Sequence, residues 1–189
     1  MICVIHEIRE IRVLKRLALL QEKHSNEIEK ILSKYPPERK RSAVIPLLYI
    51  AQQEYGYCTP EAIRDVAGIV GVEPTEVESV VGFYTLFYDE PIGKHVVQVC
   101  NDLPCALRGS EQFLDHACKK LGVDKHKAEH GGAMTADGEF SLESVVCLGA
   151  CDKAPMMQLD LEYFERLSNE DFDRIIDEMR QKSEQAARA

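Results

Sequence analysis

The chain contains no apolar run near the roughly 18 residues that a membrane-crossing helix needs, so none is expected in its 189 residues. It also lacks a leader-like start. Residues 1–20 mix Glu7, Glu10 and several Arg and Lys with scattered Ile, Val and Leu. A secretory leader has a clean apolar centre and a transit peptide is poor in acids, so the chain is expected to stay where it is made. There is no G-x-G-x-x-G, no P-loop and no H-E-x-x-H, and the six histidines are scattered. A self-contained nucleotide site or a histidine metal site is therefore not expected. No nucleophile–base arrangement is visible, which argues against a complete enzyme.

Positive charge is also scarce. There are 23 Lys and Arg against 32 Asp and Glu, a formal net charge of −9. That balance disfavours nucleic acid or an anionic membrane surface as the main partner. It fits both plain solubility and docking onto a more basic protein face. Ala67–Val72 followed by Pro74–Val81 looks like a helix-turn-helix, but residues 59–88 hold only Arg64 against Glu61, Asp65, Glu73, Glu76 and Glu78. A DNA-reading helix carries basic side chains, so a helical hairpin that packs on protein is the better reading.

Seven cysteines make an odd count. A disulfide framework would come with an even count and a leader. Reduced thiols are therefore expected, and in reducing compartments paired cysteines bind metal or do redox work. Two pairs stand out. Cys100 and Cys105 follow the apolar run Val96–Val99, and Cys147 and Cys151 follow Val145-Val146, with Gly149 between them. The glycine is expected to let backbone N–H groups approach sulfur. Of the others, Cys118 reads as an inert core residue, Cys58 as structural and Cys3 as part of the N-terminal end.

Periodicity divides the chain. Residues 1–30 read as an extension with helical character, since Ile8, Ile11, Leu14, Leu17 and Leu20 share one stripe. Residues 31–91 read as a helical bundle. A short helix over 24–35 stops at Pro36-Pro37, and a longer one runs from Glu38 to about Tyr55, kinked or divided at Pro46. Thr59-Pro60-Glu61 is a well-formed helix start, with Gly71 as its end, and Pro74-Thr75 opens another helix that carries Val77, Val80, Val81 and Tyr84. Residues 92–183 read as strand His95–Val99, a helix capped by Ser110, strand Phe140–Val146, short strands Met156–Leu159 and Tyr163–Leu167, and a helix capped by Ser168. Residues 184–189 read as a frayed tail. The fold class is α+β.

Each cysteine pair sits where a strand ends, the place where open sheets collect ligands. The spacing fits a structural zinc site and an iron–sulfur site equally. A thioredoxin-type redox pair needs C-x-x-C, which is absent. Among iron–sulfur sites, two plus two cysteines separated by residues 106–146 suit a [2Fe–2S] rhomb gripped by two loops.

The sequence resembles the thioredoxin-like [2Fe–2S] subunit of NADH:quinone oxidoreductase, respiratory complex I. The matching residues are Val99-Cys100, Cys105, Leu107-Arg108-Gly109, Val146–Cys151 and Ala154–Gln158, together with Ser42–Gly56 and Val80–Thr85. The likeness covers about residues 30–182, and Asp160 stands where asparagine is common. The resemblance implies a helical bundle followed by a thioredoxin-like ferredoxin domain. It implies one [2Fe–2S] cluster on Cys100, Cys105, Cys147 and Cys151, with a total charge of roughly −2 when oxidised. It implies a flavoprotein partner that carries FMN and binds NADH, further peripheral-arm iron–sulfur subunits, and a place on the cytoplasmic face of the inner membrane without insertion. NAD-linked hydrogenases and formate dehydrogenases hold similar subunits, and a zinc-stabilised interaction module is the reading from another class.

Overall fold

The computed structural model describes residues 19–188 of the chain. The stripe from Ile8 to Leu17 and Cys3 lie outside the described residues. The chain divides into two compact units between Pro91 and Ile92.

The first unit is helical: α1 (Leu19–Leu32), a 3-10 segment (Pro37–Ala43), α2 (Val44–Tyr55), α3 (Pro60–Val70) and α4 (Pro74–Phe83). Its core is Leu20, Ile28, Leu47, Leu48, Ala51, Val66, Val77 and their neighbours. The division expected at Pro46 falls earlier. The 3-10 segment ends at Ala43 and α2 begins at Val44. Pro46 therefore sits in the first turn of α2, where its missing N–H costs nothing. Thr59 caps α3 as expected, its side chain accepting from the Ala62 amide at 3.1 Å. The helix opened at Pro74 is capped by Glu73 and Glu76 in a reciprocal box. Tyr84 lies just past its end, 44% exposed rather than on the core face.

Among the described residues of this unit, one charged side chain is buried. Asp65 accepts a hydrogen bond from the Tyr55 hydroxyl at 2.7 Å. Burial raises the Asp65 pKa, and the Tyr55 bond partly offsets that.

The second unit is a five-stranded sheet with helices. Its elements are β1 (His95–Cys100), α5 (Leu103–Leu107), α6 (Ser110–Leu121), α7 (Lys125–Glu129), β2 (Ala133–Met134), β3 (Phe140–Val145), β4 (Met156–Leu159), β5 (Glu162–Glu165) and α8 (Asn169–Arg188). The strand order is β2-β3-β1-β4-β5. β1 and β3 run parallel and the other pairs antiparallel. The core joins Val97, Val99, Phe140, Leu142, Met157 and Leu159 of the sheet to Phe113, Leu114 and Leu121 of α6 and Phe172, Ile175 and Ile176 of α8.

Three details differ from the sequence reading. Gly109, at φ 91°, takes the N-cap position of α6, and Ser110 is its first residue. β5 (Glu162–Glu165) starts one residue and ends two residues earlier than the Tyr163–Leu167 run. The last helix continues past Lys182 to Arg188. Contacts of Ser183 hold that end: its Oγ accepts from Lys94 Nζ at 3.1 Å and lies 3.1 Å from His95 Nε2. His95 Nδ1 meets Asp160 Oδ2 at 2.6 Å, and Asp160 Oδ1 accepts from the Val96 amide at 2.9 Å. Asp160 thus ties the β4–β5 turn to the start of β1. Ser168 and Asp171 cap the helix reciprocally, as expected.

Gly93 marks a close approach of two backbones. Its amide donates to Ser141 Oγ at 2.7 Å. A Cβ here would lie 2.6 Å from the Ser141 nitrogen and 2.7 Å from the Phe140 oxygen, closer than packed atoms tolerate. Gly93→Ala is expected to destabilise the chain by about 2 kcal/mol or more through overpacking against β3. Urea unfolding measures it, and an unchanged midpoint contradicts the close approach.

Candidate functional site

The site begins with a register. His95 to Cys100 pair with Phe140 to Val145 along the parallel ladder, so Cys100 lies beside Val145. Asn101 extends the ladder by donating to the Val145 carbonyl at 2.9 Å. Parallel neighbours end at the same edge of a sheet. The loops that carry the two cysteine pairs therefore leave side by side. The Cys100 thiol also reaches the Val146 carbonyl, 3.7 Å away, and links the loops directly.

Cys105 is placed by a one-turn helix, α5, absent from the sequence reading. Asp102 accepts from the Leu103 amide at 2.9 Å, and Pro104 follows inside the first turn. That Asp-x-Pro start was readable as a helix cap. It buries Cys105 next to Cys100. Cys100, Cys105, Ala154 and Met156 form a small apolar cluster with Leu148 and Ala150 packed against it.

The second loop is exposed. Cys147 and Cys151 both face solvent. Gly149 stands at φ 80°, a left-handed conformation, with open space where a Cβ would sit. The glycine is thus needed for the turn itself. The loop is braced from β5. The Tyr163 hydroxyl donates to the Leu148 carbonyl at 2.9 Å, and Lys153 Nζ donates to Glu165 Oε1 at 2.8 Å. The Arg166 amide donates to the Lys153 carbonyl at 2.8 Å. Neither Tyr163 nor Glu165 carried a sequence signal, because their partners are 12 to 15 residues away.

The structure therefore places two buried and two exposed thiols on loops that leave one edge of the sheet. Burial, then the Cys100 thiol, then the charges of Cys100, Cys151 and Cys147 push the Cys105 thiol up to about 12. Desolvation of its sulfur and then Cys147 raise Cys151 as well. Cys151 itself is exposed. Cys100, Cys105, Cys147 and Cys151 are sulfur donors of the kind that could hold a cationic metal centre. Among the described residues, no three His, Cys, Asp or Glu side chains converge closely enough to hold a metal ion. Cys118 and Cys58 take no part. Burial raises both, Cys58 to about 11, and Cys58 Sγ donates to Gln52 Oε1 at 3.4 Å.

Apolar side chains ring the loops. Leu103 and Leu107 are largely exposed on α5, as are Val146 beside Cys147 and Tyr163 on β5. Leu103, Leu107 and Val146 flank the two cysteine pairs in sequence, and Tyr163 touches the second loop.

Comparison with known proteins bears on this site. Residues 28–180 match the model of the thioredoxin-like [2Fe-2S] ferredoxin family. NADH-quinone oxidoreductase subunit 2 of Thermus thermophilus is 42% identical over 135 residues, which is 71% of this chain and 71% of that protein. A subunit of the NADH-quinone oxidoreductase of Rickettsia bellii is 41% identical over 153 residues, 80% of this chain and 88% of that one. An NAD+-reducing [NiFe]-hydrogenase in the H2-reduced state aligns with TM-score 0.60 at 18% identity, covering 71% of this chain. This chain spans 22% of that hydrogenase chain, and the likeness is one of fold.

The thiol geometry predicts a labelling order. In metal-free protein, iodoacetamide is expected to modify exposed Cys147 well before Cys105. A thiol at about 12 stays mostly protonated below that pH. Its labelling rate should therefore rise about tenfold per pH unit from about pH 7.5 to 9. Peptide mass spectrometry over time checks this, and a plateau in the Cys105 rate within that range contradicts it.

Proposed function

This chain belongs to the thioredoxin-like [2Fe-2S] ferredoxin family, and from that premise we propose that Cys100, Cys105, Cys147 and Cys151 hold one [2Fe–2S] cluster. The chain is then the electron-transfer subunit of an NADH:quinone oxidoreductase. Bound there, the cluster supplies a one-electron couple that exchanges single electrons with FMN on a partner flavoprotein that oxidises NADH. The observation that carries the reading is the parallel β1–β3 pair, which sends both cysteine loops off one edge.

The chain's own residues have separate tasks. Cys100 and Cys105 provide a buried half of the cradle, fixed by the end of β1 and by α5. Cys147 and Cys151 provide an outward half, fixed by the Gly149 turn and the Tyr163 and Lys153 braces. Met156, Ala154 and Leu148 exclude water from the buried side, which strengthens hydrogen bonds and helps set potential. The exposed ring of Leu103, Leu107, Val146 and Tyr163 suits closure by the flavoprotein, since apolar surface around a redox site is stabilised by a covering partner.

No helix among the described residues is long and apolar enough to cross a membrane. Attachment to the cytoplasmic face of the membrane would run through the flavoprotein and the other iron–sulfur subunits. The curated relatives are named as NADH-quinone oxidoreductase subunits, which favours that parent over a hydrogenase or formate dehydrogenase.

Cys147→Ser is expected to lower iron content and the electron-paramagnetic signal of the NADH-reduced complex while the far-ultraviolet dichroism keeps its helical form. Normal iron and an unchanged signal would sink the ligand assignment. In the unmodified complex a flavoprotein and membrane-arm subunits should copurify. Copurification of a nickel subunit would replace the parent assignment.

A further inference from the structure

The helical unit carries an aromatic surface that the cysteine site leaves unexplained. Tyr49 on α2 packs on Phe87 with ring centroids 4.9 Å apart. Phe87 meets Tyr84 at 6.3 Å, and Tyr84 meets Phe83 edge-on at 5.2 Å. Phe87 is buried, whereas Phe83 is 78% exposed, with Tyr84 and Tyr49 each near two-fifths. Burying a Phe ring is worth about 2 kcal/mol or more, so leaving one this open calls for a reason.

The segment is held still. The Gln52 side chain pairs with its backbone in both directions. Nε2 donates to the Leu86 carbonyl at 2.9 Å, and Oε1 accepts from the Tyr88 amide at 2.9 Å. The Cys58 amide donates to the Tyr88 carbonyl at 2.7 Å. Rigid aromatics placed in advance lose little entropy when covered, and such residues dominate the energetics of interfaces.

Charge indicates what covers them. Residues 65–93 contain no Lys or Arg. Of the acids in that stretch, Asp65 is buried and Glu76 pairs with Arg41 at 2.8 Å. Glu78 on α4 and Asp89 and Glu90 just past the aromatics stay exposed. An apolar surface with an acidic border matches a partner face that presents arginine or lysine beside apolar side chains, where arginine also stacks on aromatic rings.

We propose that Phe83, Tyr84 and Tyr49 form a second docking surface, separate in sequence from the cysteine loops, for a basic face of another protein chain of the complex. It rests on the electron-transfer reading only for the existence of that complex.

The test places a photo-crosslinking benzoylphenylalanine at position 83 or 84 in the full chain within the assembled complex. The expected result is a crosslink to another subunit at a segment rich in Arg or Lys. No crosslink, a crosslink to a second copy of this chain, or one to a segment without basic residues overturns the proposal. A Phe83→Ala, Tyr84→Ala variant should release from the complex at least about tenfold faster. A Phe83→Ala variant prepared alone should keep its unfolding midpoint, because that ring is 78% exposed. An unchanged release rate also overturns the proposal. A crosslink to a basic subunit in a complex without flavin would leave the surface standing and remove the electron-transfer reading instead.

Discussion

The parallel pairing of β1 and β3 is the constraint on which the site depends. Cys100 is the last residue of one strand, and Val145, its partner in register, is the last of the other. The four cysteines proposed as ligands lie at the end of β1 or in the residues that follow the two strands. A slip of one residue in that register would turn every side chain of the slipped strand to the opposite face. Phe140 and Leu142, now fully buried, would be forced out of the core. The hydrophobic pattern of the core therefore also sets the distance between the cysteine loops. Gly93, where the approaching chain touches the β3 backbone, belongs to the same constraint.

On that scaffold the site is asymmetric. One thiol pair is buried by a one-turn helix and an apolar cluster, and the other is carried on a loop open to solvent. Burial of Cys105 disfavours its free thiolate charge unless a cation is present. The exposed pair supplies access. The braces from β5 keep the open loop in place without covering it. An electron carrier needs this combination, since its centre must be shielded from water yet lie close to a surface that a donor can approach.

Much of this was legible in the sequence, for physical reasons. The strands that enter the cysteine loops are short valine-rich runs, and the helices of the first unit begin at Thr59-Pro60 and Pro74, where cap chemistry is local. That each cysteine pair lies at or just past a strand end was legible from the valine runs that precede it. What remained hidden depends on distant partners. Tyr163 and Glu165 act on residues in another loop, and the role of Gly93 exists only because β3 passes over it. The positive φ of Gly149 was hidden for the same cause, since it reports the path of the whole loop. Ser110 looked like a cap because serine usually is one, but the left-handed turn at Gly109 moved the helix start by a residue.

The central claim is that these four thiols hold a binuclear iron–sulfur centre. The most direct test is the metal and acid-labile sulfide content of the full chain prepared without oxygen. The account predicts about two irons and about two sulfides per chain, with visible absorbance that bleaches on reduction. A colourless protein that holds zinc and neither iron nor sulfide would contradict it.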